Sequence, residues 1–187
     1  MIKTKRIIEI YSDGSGNSLD SDGGWGCVIV VDGTKVDERC GFMLSATNNT
    51  AELTAAINGF KAAYEYVNSQ GWIADNCHFT LISDSQLVLN YAKNTWKCKK
   101  DHLRPLCNTL QTQYNFYDAD TRWVKGHNGD EHNERCDELA GHARKSGRKR
   151  KIGQKFLSTL IKFELIKDEL ELSIMYDTIK KLAPVPY

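Results

Sequence analysis

The sequence TNNTAELTAAINGFKAAYEYVNSQG, residues 47–71, marks the point where the chain changes from a strand pattern to a helix pattern. From Asn49 onward, apolar residues recur every three or four positions, as on one face of a helix, until Gly71 ends the pattern. They are Leu53, Ala56, Ile57, Phe60, Ala63, Tyr64 and Val67. This stretch therefore predicts a helix that packs on a core along one side.

The residues before this helix predict three strands. Residues 7–11 are mostly β-branched and apolar, and in residues 25–31 Trp, Cys, Ile and Val alternate with Gly and Val. Asp32 and Gly33 then provide a hairpin turn into a third strand near residues 35–42.

The residues after the helix predict alternating strands and helices. An apolar strand is expected at 78–83, a short helix around 87–89, and a helix at about 103–114 that Pro105 would begin. A fifth strand is expected at 121–125 and a further helix at 133–143. The order βββαβααβα predicts an α/β fold with a mixed sheet flanked by helices.

The composition is that of a globular protein. The chain has 187 residues, of which 41% are hydrophobic and 26% charged, which excludes disordered, collagen-like and coiled-coil proteins. No apolar stretch approaches the roughly 20 residues of a membrane span, so we expect no membrane association. The chain begins MIKTKR without a signal-peptide pattern, so its six cysteines are expected to be free thiols in the cytoplasm.

The charge is unevenly distributed. The net charge is +1, but seven basic residues and no acid fall within residues 144–155. The other eighteen basic residues stand against all 24 acids, which leaves that part of the chain with a net charge of −6. The basic run could contact nucleic-acid phosphates or form a solvated hinge, and the sequence leaves both possibilities open.

The same change in composition suggests three parts: a main domain at 1–143, a basic linker at 144–155 and a C-terminal helical extension at 156–187. The extension carries a wide apolar stripe along a helix predicted from about residue 154 to Leu182. We expect this helix to pack on the main domain of a monomer. A dimer or a contact with another protein is the alternative.

Four acids lie where strands end or helices begin, and each has an ordinary structural explanation. Asp13 could belong to a turn, Glu52 could form a reciprocal cap with Asn49, and Asp84 could cap the helix that follows it. Asp137 lies early in a helix, where the dipole favours an acid by about 0.3–1 kcal/mol.

Together, however, the four acids indicate a single site. Strand ends and helix starts cluster at one edge of a mixed sheet, which would bring four carboxylates into one cleft. Their repulsion would be relieved by a divalent cation, and oxygen-only ligands select hard ions such as Mg²⁺. The set therefore predicts a site for phosphoryl transfer.

Four ordered motifs carry a resemblance to a known family. They are YSDGS at 11–15, TNNTAEL at 47–53, SDSQ at 83–86 and VKGHNGDEHNERCDELA at 124–140. The chain resembles the ribonuclease H family, type 1, over about residues 5–143. The resemblance implies a five-stranded mixed sheet with helices, and endonucleolytic cleavage of the RNA strand of an RNA/DNA hybrid that leaves 5′-phosphate and 3′-hydroxyl ends.

The resemblance also implies a set of catalytic residues. Asp13, Glu52, Asp84 and Asp137 match the family's metal-binding acids, with Asp13 expected to bridge two Mg²⁺ ions, for which Mn²⁺ could substitute. His127 matches the family's loop histidine, to which the resemblance assigns proton transfer, a role that imidazole side chains commonly play. An exposed loop position is the alternative. Glu134 and Asn133 match further family positions, and we expect Asn133 to be a helix cap.

Substrate contacts are implied by the same comparison. Asn48, Asn49 and Gln86 match residues that touch the minor groove and its 2′-hydroxyls, and Thr47 matches one that holds a phosphate of the DNA strand. Thr50 stands where bacterial relatives commonly have arginine, which removes one expected contact. The segment 90–103 is too short for the long basic protrusion of several relatives.

The same residues allow other functions, each with less support from the sequence. Zinc sites at Cys98, His102 and Cys107, or at His127, His132 and Cys136, lack the paired short spacing of structural zinc sites. An acid-dependent exonuclease or integrase of a related fold is a second possible enzyme class, and whether ends or internal phosphodiester bonds are cut would distinguish it. A non-catalytic module that only binds hybrid would be expected to lack one of the acids, and all four are present.

Overall fold

Five strands form one mixed sheet in the computed structural model, which describes residues 5–17 and 22–162 of the chain. The strands are β1 (Arg6–Gly16), β2 (Gly23–Val31), β3 (Thr34–Met43), β4 (Cys77–Ser83) and β5 (Asp120–Trp123). Their order across the sheet is β3-β2-β1-β4-β5. The first three strands are antiparallel, whereas β4 runs parallel to β1 and β5 runs parallel to β4.

Helices cover both faces of this sheet. α1 (Asn48–Ser69), α2 (Gln86–Ala92) and α3 (Arg104–Phe116) pack on one face, and α4 (Glu131–Lys162) packs on the other across β1, β2 and β3. Side chains therefore alternate between two cores along β2: Cys27 and Ile29 face α1, and Val28 and Val30 face α4. This explains why the strand is almost wholly buried.

Glycine allows α4 to approach the sheet closely. A Cβ atom at Gly26 would lie 2.5 Å from the carbonyl oxygen of Cys136, so only glycine fits under the helix at this point. Gly26 pairs with Asp13 of β1. The close approach therefore brings the start of α4 next to the acidic end of the central strand.

The predicted α/β class and order of elements are confirmed, with small differences in boundaries. α1 begins at Asn48, α3 begins at Arg104 with Pro105 in its first turn, and β5 ends at Trp123 rather than residue 125. All six cysteines are free thiols. None of the helices in the described ranges has the length and apolarity needed to cross a membrane.

The predicted boundaries of the last helix are wrong. It was expected at 133–143 and followed by a linker, but α4 begins at Glu131 and continues to Lys162 through the whole basic run. The physical reason is that a change in charge does not end a helix, and Lys, Arg and Gln are good helix formers. Residues 163–187, including the rest of the predicted extension, lie outside the described residues. The division of the chain into domain, linker and extension otherwise remains a prediction.

Candidate active site

The sheet register brings Asp13 and Asp84 side by side. Tyr11 pairs with Ile82 in the parallel β1–β4 ladder, and each acid lies two residues further along its own strand direction. Glu52 is in the second turn of α1, whose backbone contacts Gly14 directly; a Cβ at Gly14 would collide with the backbone nitrogen of Glu52. Asp137 is in the second turn of α4. The four predicted acids thus lie at the same end of the sheet.

The electrostatics show that these carboxylates influence one another. Burial and, to a smaller extent, the charges of Asp84, Asp137 and Glu52 together raise the pKa of Asp13 to about 7, against the opposing hydrogen bond from the backbone N–H of Gly14. Burial likewise raises the pKa of Glu52, and Asp84 adds to the effect. In the described part of the chain, no Lys or Arg forms an ion pair with Asp13, Glu52 or Asp84.

Two side chains hold Glu52 in place. Asn48 Nδ2 donates to Glu52 Oε1 at 2.6 Å, and Ser85 Oγ donates to Glu52 Oε2 at 2.6 Å. Asn48 also accepts from the backbone N–H of Gly16 at 3.2 Å, which ties the start of α1 to the end of β1. Sequence reasoning did not assign a role to Ser85, although it lies within the SDSQ motif directly after Asp84.

Two neighbours position Asp84. Trp123 Nε1 donates to the backbone carbonyl oxygen of Asp84 at 3.0 Å, although the Trp123 residue is 51% exposed. A Cβ at Gly126 would lie 2.5 Å from Asp84 Oδ2, so glycine allows the loop after β5 to lie against this carboxylate. Sequence reasoning missed Trp123, because its position directly before the VKGH motif does not reveal a hydrogen bond to a residue 39 positions away.

His127 lies at the rim of the acidic group. Its Nδ1 is 3.9 Å from Asp137 Oδ2, and its side chain is 83% exposed. Its backbone is left-handed (φ 50°), a conformation uncommon outside glycine, although His adopts it more readily than most residues. Glu134 Oε1 accepts from the backbone N–H of Gly129 at 2.8 Å, which anchors the loop to α4. The structure therefore brings the predicted histidine to the acids on a loop fixed at its far end.

The capping alternatives for the site residues are wrong. Thr47 caps α1 by exchanging hydrogen bonds with Thr50, so Asn49 and Glu52 do not form a reciprocal cap. Ser85, not Asp84, caps α2. At the start of α4, Asp130 Oδ1 accepts from the backbone N–H of Asn133, so Asn133 is a buried residue of the first turn and not the cap.

The residues predicted to contact substrate lie around the acids. Thr47, Asn48 and Asn49 occupy the start of α1, and Gln86 is exposed at the start of α2. Both helix starts adjoin the same end of β1 and β4. Between α2 and α3 the chain has a single 3-10 turn, at Asp101–Leu103, and no α-helix.

The oxygen atoms of these acids suit a divalent cation whose remaining coordination positions are filled by water and by the substrate. Within the described residues, no three potential ligand side chains converge into a preformed metal site, which also leaves both zinc alternatives without support. His132 instead packs its ring on Tyr11, and Cys136 is fully buried. Magnesium in phosphoryl-transfer sites usually takes one or two carboxylates and leaves its other positions to waters and phosphate. Four neighbouring carboxylates, none of which pairs with a Lys or Arg among the described residues, fit that requirement.

Comparisons with known proteins agree with this geometry. The family model described as RNase H matches residues 5–145. A protein of Hydrogenovibrio crunogenus named Ribonuclease H is 35% identical over 147 residues, which cover 73% of this chain and 94% of that protein.

Solved structures show the same fold. RNase H1 from the halophilic archaeon Halobacterium salinarum is 28% identical, with a TM-score of 0.62, and the match covers 73% of this chain and 96% of that one. LC11-RNase H1, solved in complex with an RNA/DNA hybrid, is 21% identical, with a TM-score of 0.64, covering 75% of this chain and 98% of that one. The family-model match and the close curated relative together show that this chain belongs to the RNase H family, whose members are hydrolases.

Proposed function

We propose that this protein hydrolyses internal phosphodiester bonds in the RNA strand of RNA/DNA hybrids, with divalent metal ions, and leaves 5′-phosphate and 3′-hydroxyl ends. Its curated relatives are named Ribonuclease H, and the similar LC11 enzyme was solved with a hybrid bound. The cytoplasm is the expected location.

The observation that carries the proposal is the grouping of Asp13, Glu52, Asp84 and Asp137 at one end of the sheet. Burial and mutual repulsion raise the pKa of Asp13 to about 7, so an ionised group of acids is unfavourable without a cation. Grouping these carboxylates destabilises the free protein, and the repulsion is relieved when metal cations bind together with the substrate.

Asp13, Glu52, Asp84 and Asp137 would together hold two metal ions. Mg²⁺ is the expected ion and Mn²⁺ a possible substitute. When bound, a pair of such ions activates the attacking water and stabilises charge on the phosphate and on the leaving 3′ oxygen. The hydrogen bonds from Asn48 and Ser85 keep the Glu52 carboxylate oriented while substrate enters.

The imidazole of His127 would transfer a proton during hydrolysis. Its exposed ring stands beside Asp137, where it can accept a proton from the water or deliver one to the departing oxygen. The amides of Asn48, Asn49 and Gln86 would contact 2′-hydroxyls in the minor groove, since an amide both donates and accepts. Thr47 would contact a phosphate of the DNA strand.

The test is cleavage of end-labelled RNA/DNA hybrid, duplex DNA, duplex RNA and single strands, each with and without Mg²⁺ or Mn²⁺. We expect internal cuts in the RNA of the hybrid alone, only with metal, and 3′-hydroxyl ends that a polymerase can extend. Cleavage from ends would instead indicate an exonuclease, and tight binding without any cleavage would indicate a hybrid-binding module. Equal cleavage in EDTA would contradict metal dependence.

A further inference from the structure

Helix α4 carries a row of basic residues on the same side as the candidate catalytic acid Asp137. Arg144, Arg148, Lys151 and Lys155 lie seven, eleven, fourteen and eighteen residues after Asp137. These intervals are about two, three, four and five turns at ~3.6 residues per turn, so the four residues follow Asp137 along one line of the helix. We call these four residues the basic row.

The contacts of α4 show independently which way this row faces. Arg144 Nε donates to the carbonyl oxygen of Asp22 at 3.1 Å, and Lys151 Nζ pairs with Asp22 Oδ1 at 2.9 Å. Asp22 lies directly before β2, where Gly23 pairs with Gly16 at the end of β1. The basic row therefore borders the same end of the sheet as Asp13, and the side with Ala143 and Gly147 is the one that packs on the sheet.

Two members of the row, Arg144 and Lys151, contact Asp22 and so hold α4 in place. The side chain of Asp22 is only 6% exposed, so its bond to Lys151 fixes α4 against the start of β2. Arg148 and Lys155, like Lys151, are exposed. They lie about 16 Å and 27 Å from Asp137 along the helix axis, at ~1.5 Å per residue.

A nucleic acid placed over the acids fits this arrangement. The start of α1 and the basic row flank the end of β1 from opposite faces of the sheet, through the Gly16–Asn48 and Asp22–Arg144 contacts. A duplex that ran along α4, with a rise of about 3.4 Å per base pair, would reach Arg148 about five base pairs from the cut and Lys155 about eight. The charge of the row is complementary to phosphates.

We infer that Arg148 and Lys155 bind phosphates of the hybrid on one side of the cleavage position, with α4 serving as a rigid arm that Arg144 and Lys151 hold in place. The inference rests on the proposed function, because it needs a hybrid seated at the acids. It assigns the binding role to one side of the helix and not to the basic run as a whole.

Lys145 and Lys149 provide a matched control. Both are exposed on the same helix, but they lie about a quarter turn or more away from the row. The variants R148Q/K155Q and K145Q/K149Q therefore remove equal charge from different sides of α4. Circular dichroism and thermal unfolding establish that both remain folded, and R148K/K155R tests whether restored charge restores binding.

The experiment measures hybrid affinity from 50 to 200 mM salt in the D13N background, which prevents cleavage. Loss of two phosphate contacts should lower the slope of log K against log salt by about 1.8, so the affinity advantage of the parent over R148Q/K155Q should shrink about twelve-fold across this range. K145Q/K149Q should keep the parent slope. Equal slopes for the parent and R148Q/K155Q, or equal losses for both pairs, would overturn the inference.

Substrate length provides the second measurement. In hybrids where a short run of ribonucleotides fixes the cleavage position, extension by about eight base pairs on one side should improve parental binding and leave R148Q/K155Q unchanged. No difference between the two proteins on either side would overturn the inference. If the wild-type protein cleaves hybrid while these results are negative, only the inference fails; if it cleaves none, the proposed function fails.

Discussion

Asp13 and Asp32 lie at opposite ends of the sheet, and the pKa values of their carboxyl groups are shifted in opposite directions. Burial and the other acids raise the pKa of Asp13 to about 7. At the other end, the pKa of Asp32 is lowered, because its carboxylate accepts from the backbone N–H of Ile7 at 3.0 Å and from Arg6 at 2.6 Å. Arg6 also stacks on Trp72 at 4.7 Å. At the end with Asp32, the carboxylate is paired with a basic side chain of the same protein. At the end with Asp13, the acids have no such basic partner among the described residues, and we expect a bound ligand to supply the positive charge.

The largest expected effect comes from removing the Asp13 charge. D13N should reduce hydrolysis at least about 10³-fold, since bound metals contribute several kcal/mol to the transition state. The measurement is single-turnover cleavage of hybrid at saturating Mg²⁺. A rate close to that of the wild type would remove Asp13 from the mechanism.

The same variant should be more stable than the wild type when metal is absent. A carboxyl whose pKa is higher in the folded than in the unfolded protein destabilises the fold as the pH rises. For Asp13 this loss of stability develops between the unfolded-state pKa near 3.8 and the folded-state pKa of about 7. D13N should therefore gain about 1–3 kcal/mol at pH 8 in EDTA and lose this part of the pH dependence. Urea unfolding at pH 4 and pH 8 measures both quantities, and an unchanged difference between the two pH values would contradict the assigned pKa.

His127 should have the next largest effect. H127A should reduce turnover about 10²-fold or more, but less than D13N, because a proton shuttle contributes only part of the rate enhancement. The hybrid affinity should change little, because the ring is at the rim of the site. If the pH–rate profile of H127A is identical to that of the wild type, His127 has no role in proton transfer and is only an exposed loop residue.

Ser85 should show a smaller and mixed effect. S85A removes both the cap of α2 and one of the two hydrogen bonds to Glu52. We expect a loss of about 1 kcal/mol in stability and a roughly tenfold slower reaction, with threonine restoring much of both. If S85A lowers the melting temperature but leaves the rate constant intact, Ser85 serves α2 alone.

Asp32 should show the smallest effect on activity. D32N removes the partner of Arg6 and the acceptor for Ile7, so the melting temperature should fall slightly at neutral pH. The difference from the wild type should disappear as the pH falls below the usual carboxyl range, because a lowered pKa stabilises the fold only while the group is ionised. Hybrid cleavage should stay at the wild-type rate, and a loss of cleavage would contradict the separation of the two ends.

The sequence predicted features that depend on local pattern. Hydrophobic periodicity identified the strands and α1, and the position of acids after strand ends located the candidate site. Ser85 and Trp123 were missed because their contacts join residues 33 and 39 positions apart, which no local pattern reveals. The end of α4 differs from the predicted one because a change in charge does not by itself end a helix. The cap of α1 was misassigned because Thr50 was judged only against arginine, although its hydroxyl completes the pair with Thr47.

The central position of β1 has a consequence for how the molecule opens. This strand pairs with β2 on one side and β4 on the other, so its amide hydrogens should exchange among the slowest in the protein. Its parallel partner β4 is about 70 residues away in sequence, and such non-local pairing forms slowly during folding. The strand that carries Asp13 should thus be among the last parts of the protein to unfold.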